Sequence, residues 1–184
     1  MVLLDKFVFL LGILVLVIGL LFAGSGFGVF VAGQSGGLIL LILGVSMYWA
    51  GWIISGAQSF SCAVAAALNM FDAASTLALW NFEINPAVLS LGPTLFLIAK
   101  MACSIAIVAY AKFNASPRKG GILLTAVFSG IVGWNLSQYA LAYLGFSNIV
   151  IGLLFGAFLS FLAVLLIILM VLFGEKITQQ TKNH

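Results

Sequence analysis

The apolar residues fall into six stretches, at about 7–23, 38–55, 58–80, 93–113, 121–144 and 149–173, parted by short clusters of Gly, Pro, Asn, Ser or charged residues. Each is close to the twenty or so residues that an α-helix needs to cross the hydrocarbon core of a bilayer. The pattern predicts an all-α fold, an integral membrane bundle of six transmembrane helices forming one domain over residues 1–184. Lys6 ahead of the first stretch imitates a secretory signal, but the apolar run is long for one and ends in glycines without an A-x-A site, so it reads as an uncleaved first helix. The stretch from Gly24 to Gly37, six glycines counting both ends, reads as a hairpin or short re-entrant turn. A phosphate-binding loop is dismissed there, since no Lys-Ser or Lys-Thr follows.

Polar residues inside the stretches are few and patterned. In the third, Asn69, Asp72 and Thr76 stand at i, i+3 and i+7, along one helical face. Lys100 lies about two turns into the fourth, behind Pro93, and Asn135 and Gln138 lie one turn apart in the fifth. At about 1.5 Å per residue, Asp72, Lys100 and Asn135 fall at a common depth of roughly 10–13 Å from the end of the bundle where the third stretch leads into the fourth. Asn69, Asp72, Thr76, Lys100, Asn135 and Gln138 therefore form one expected polar layer, with Glu83 and Asn85 above it in the connecting loop. Ionised groups inside a membrane segment are costly and lean towards function, yet a paired Asp72 and Lys100 can also satisfy each other and fix helices together. Both readings stand. Elsewhere, Gly44, Ala50, Gly51 and Ser55 suit close helix approach, and Gly152 and Gly156 form a GxxxG that serves helix packing or self-association.

Composition agrees with the pattern: 64% of the 184 residues are hydrophobic and 6% charged, far below the quarter or so found in soluble domains. The net charge of +3 arises from few residues, and the longest basic cluster is Arg118-Lys119, so no nucleic-acid partner is expected. Lys6, Lys112, Arg118, Lys119, Lys176 and Lys182 all fall on one side of a six-span topology, and the opposite loops hold no Lys or Arg. By the positive-inside rule the N- and C-termini are expected to be cytoplasmic, in a multi-pass protein of the cell membrane. Trp80, Phe82, Tyr139 and Tyr143 would then line the outer interface, and Tyr110 and Phe113 the inner one.

Candidate chemistry is sparse. Metal and haem sites need clustered His, Cys or carboxylates, and the single His is His184 in the polar tail, so neither a metal nor another cofactor is expected. Cys62 and Cys103 differ too much in depth for a disulfide and read as small packing residues. Ser75 or Ser104 with Lys100 makes a weak Ser-Lys dyad, and Asp72 with Glu83 could do acid–base work only if the Glu83 loop folded over Asp72. No catalytic residue is assigned, and an enzyme is the less favoured class. Asn114-Ala-Ser116 matches a glycosylation acceptor but falls on the expected inner side.

The positions Asn69, Asp72, Thr76, Glu83-Ile-Asn85-Pro86, Pro93 and Lys100 resemble an uncharacterised prokaryotic multi-pass membrane family, a domain of unknown function. Its pattern is an Asp/Thr helix end, Glu-x-Asn-Pro and a Pro-led helix with an intramembrane Lys, and the likeness covers about residues 58–144. The resemblance implies sites without implying an activity. Two functions of different class are carried forward, both within the lipid bilayer. One is an accessory or structural subunit of a membrane complex, docking partner helices or copies of itself; the other is a binding or transport protein for a small or lipid-like molecule.

Overall fold

The computed structural model describes residues 2–31, 33–78, 80, 86–143, 145 and 149–182. Among them the chain is all-helical: α1 Val2–Val31, α2 Gly36–Ser55, α3 Phe60–Ala78, α4 Pro86–Phe113, α5 Pro117–Tyr143 and α6 Ile149–Lys182. All six are long and apolar enough to cross a membrane. They run alternately up and down, because the connections are short. The third helix is the least apolar, with mean hydropathy 1.3 over its span against 2.9 for α6, and 61% of that span is buried against 11% for α6. Its polar residues can be accommodated because it is the helix that the others surround. Accordingly α3 packs on α1, α4, α5 and α6.

The largest departure from the sequence expectation is at Gly24–Gly37, where α1 runs on to Val31 and leaves only a tight turn before α2. Gly37 N–H closes it on the Gln34 carbonyl at 3.0 Å, and Gly33 takes φ +80°, the left-handed region that glycine enters without strain. The glycines inside the helix have a packing role instead. Gly12, Gly19 and Gly26 recur every seventh residue on α1, and Gly37, Gly44 and Gly51 do so on α2. In the antiparallel pair a Cβ on Gly12 would overlap Ser55 and the Gly51 carbonyl, on Gly19 it would overlap Tyr48 and the Gly44 carbonyl, and on Gly26 Leu41 and the Gly37 carbonyl. The two backbones touch along most of the bilayer's depth, gaining dispersion contacts that lipid would not supply.

Helix α4 begins at Pro86 rather than at Pro93, but it is broken at Gly92, whose φ +71° and ψ 162° are non-helical. Pro93 starts the long segment after the break, in keeping with its fixed φ and missing donor. At the other end of the bundle α5 starts at Pro117, ahead of the expected Gly121, and α6 continues through the polar tail to Lys182. That end collects the ends of all six helices. Lys112 Nζ donates to the Ser55 carbonyl at 2.7 Å, capping α2, and lies 4.6 Å from the centre of the Phe9 ring. Thr125 Oγ1 donates to the Ser61 carbonyl at 2.8 Å, Phe9 meets Phe113 edge-on, and Gly174 lies against Phe60. Lys6, Lys112, Arg118, Lys119 and Lys176 share this basic end.

The GxxxG of α6 is used inside the chain. Gly156 faces the Trp134 ring of α5, where a Cβ would come within 2.8 Å, and Gly152 faces Leu141. Gly133 of α5 answers them, set against the backbone of Ser160. Helix packing is thus the role the fold gives these glycines.

Candidate polar site

Three helices bring the site together. Asn69, Asp72 and Thr76 occupy one face of α3, and all three are buried, with Asp72 only 3% exposed. From α4, Lys100 Nζ makes an ion pair with Asp72 Oδ2. From α5, Asn135 Nδ2 donates to Asp72 Oδ1 at 2.6 Å and approaches Thr76 Oγ1 at 3.5 Å. Both carboxylate oxygens therefore have partners, each on a different helix. The common depth expected from counting residues is realised, because antiparallel helices of equal rise place positions equally far from the shared end opposite one another.

One turn towards the basic end, Asn69 ties α3 to α4 a second time. Its Nδ2 donates to the Lys100 carbonyl at 2.8 Å and to Ser104 Oγ at 2.9 Å, while Ser104 Oγ donates to the Ala66 carbonyl at 3.2 Å. A carbonyl can only accept, so the amide nitrogen must face Lys100 and the orientation of the side chain is fixed. Its Oδ1 points the other way, buried and without a hydrogen-bond partner among the described residues. Ser104 is a site residue that sequence reading passed over as a weak dyad partner. Its spacing of four from Lys100, one helical turn, was the available signal.

The ammonium of Lys100 has aromatic walls. The Phe96 and Phe128 ring centres lie 5.5 and 5.8 Å from Nζ, and Trp80 lies beyond Phe96 at 6.2 Å between ring centres. Aromatic faces are a partial substitute for water around a cation. The side chain of Lys100 stays 18% exposed, against 4% for Asp72.

Not every expected member joins. Gln138 is exposed, its Nε2 lies 3.4 Å from Ser137 Oγ, and it sits beside Gly156 of α6 rather than in the layer. Asn135 is the residue of α5 turned onto α3, and the side chain of Gln138, three residues on, falls towards α6 instead. Glu83, Asn85 and Phe82 lie outside the described residues, as do the side chains of Tyr139 and Tyr143. Neither serine of the dyad hydrogen-bonds Lys100 Nζ: Ser75 Oγ donates to the Asp72 carbonyl at 3.0 Å, and Ser104 is committed to Ala66. Cys62 and Cys103 are not joined in a disulfide, and Cys62 Sγ lies 3.6 Å from the Pro117 carbonyl. Among the described residues no three His, Cys, Asp or Glu side chains gather where a metal could bind.

The arrangement holds a neutral Asp–Lys pair in a low-dielectric interior and clamps α3 to α4 and α5 through side chains that all face inward. No family model, curated protein or solved structure matches this chain.

Proposed function

We propose that this protein is a structural or accessory subunit of a membrane assembly, and that its polar layer sets the register of α3 against α4 and α5. The observation that carries the reading is the double engagement of Asp72, Oδ2 by Lys100 and Oδ1 by Asn135. A carboxylate held on both oxygens by its own chain is poorly disposed to exchange partners with a passing solute, whereas a buried carboxylate bridging two helices is suited to specifying one helix arrangement. Short connections leave the helix faces as the main surface through which the chain can act. Those faces are broadly apolar, and α6 leaves the largest share of its span uncovered. In this reading the basic end lies in the cytoplasm of a cell whose surface membrane holds the protein, as the positive-inside rule favours.

Native mass spectrometry of protein extracted gently from its own membrane tests the proposal. A foreign subunit at fixed stoichiometry is the expected result. A monomer or homo-oligomer alone, obtained under extraction that preserves other complexes of the same membrane, would overturn it.

A further inference from the structure

Lys100 carries three N–H donors and Asp72 Oδ2 takes one of them; among the described residues no other oxygen accepts from Nζ. The Phe96 and Phe128 rings meet part of the charge, and the side chain remains 18% exposed. Lys100 stands seven residues past Pro93, and Asn135 eight residues before the end of α5, some 10–12 Å along their helices. A helix of 27 residues such as α5 spans about 40 Å, the full bilayer with its headgroup zones, which puts the pair a few ångströms inside the hydrocarbon boundary. Donors left open at that depth are costly and call for an acceptor.

The charge balance narrows what that acceptor can be. Asp72 already neutralises Lys100, so an anion arriving at the ammonium would leave a net negative charge in the membrane, whereas an uncharged oxygen would not. On this side of the bundle α4 and α5 each pack on α3 more closely than on each other, and Ile131, one turn from Asn135 on α5, is 37% exposed. We propose that Lys100 is a docking point for the uncharged carbonyl oxygen of an apolar molecule dissolved in the bilayer, an acyl ester or a quinone, entering between α4 and α5. The subunit assignment does not depend on this, since the carboxylate stays saturated while only the ammonium accepts a guest.

The test uses the purified full chain in three kinds of nanodisc: ester-linked phosphatidylcholine, its ether-linked analogue without carbonyls, and the ether lipid with decylubiquinone. Native mass spectrometry then counts retained molecules. The expected result is one retained ester lipid or one quinone per chain, at least tenfold over the ether lipid. Asp72→Asn with Lys100→Met should abolish the preference, and Lys100→Arg should keep it. Equal retention of ester and ether lipid with no retained quinone would overturn the proposal and leave water as the acceptor, a comparison that needs no variant to fold. An unchanged preference in the double variant would overturn it as well.

Discussion

Gly19 of α1 and Gly44 of α2 lie back to back, each where a Cβ would overlap the other helix's backbone. The same relation recurs one heptad away at Gly12 with Gly51, and on the other side a Cβ on Gly26 would overlap the Gly37 carbonyl. The contact is between main chains, so no side-chain rotamer change can make room.

Gly19→Leu or Gly44→Val should therefore force the hairpin apart. Overpacked cores typically lose 1–3 kcal/mol, and this site should reach the upper end, about 3 kcal/mol. Thermal unfolding in detergent checks it. Gly36→Ala is the matched control, because a Cβ there meets nothing within 4 Å.

Asp72 and Lys100 should behave as a unit. Removing one partner strands the other charge in the bundle, at a cost of about 3–5 kcal/mol, whereas Asp72→Asn with Lys100→Met together should cost much less than the sum of the single changes. A double-mutant cycle on equilibrium unfolding in micelles measures the coupling. Additive effects would show that the pair does not tie α3 to α4.

Gly92 is a purely conformational position. Its φ +71° and ψ 162° are open to glycine almost alone, yet a Cβ would find nothing within 4 Å. Gly92→Ala should lose about 1–3 kcal/mol through the backbone rather than through a clash. Larger side chains should cost no more than alanine, and a melting series through Ala, Ser and Leu would reveal any steric term.

Lys112 should stabilise the basic end. Its ammonium donates to the Ser55 carbonyl at 2.7 Å and lies against Phe9. Lys112→Met preserves much of the stem and removes the charge-assisted bond, an expected loss of about 1.5–3 kcal/mol. Faster hydrogen exchange confined to the last turn of α2 and the start of α3 would locate the effect.

The sidedness proposed from the basic residues is directly testable. Ser116→Cys, in the exposed turn between α4 and α5, should resist a membrane-impermeant maleimide in intact cells and react once they are opened. Ser35→Cys, in the turn between α1 and α2, should react from outside. The reverse pattern would invert the orientation.

The six helices and the level of Asp72, Lys100 and Asn135 were legible in the sequence because they depend on two periodic quantities, the length of apolar runs and the rise per residue. Partners that share a depth could be named without knowing how the helices are turned. Rotation is what the tertiary structure decided. It set Asn135 onto Asp72 and Gln138 beside α6, two outcomes for residues one turn apart, because only packing against α3 and α6 chooses which face points inward. It also gave Asn69 a main-chain carbonyl as partner, which no side-chain pattern announces. The glycines show the same division. Their heptad spacing is written in residues 12, 19, 26, 37, 44 and 51, but a run rich in glycine serves a loop as readily as a helix. What settled it was the neighbouring helix, whose backbone fills the space that those absent side chains leave.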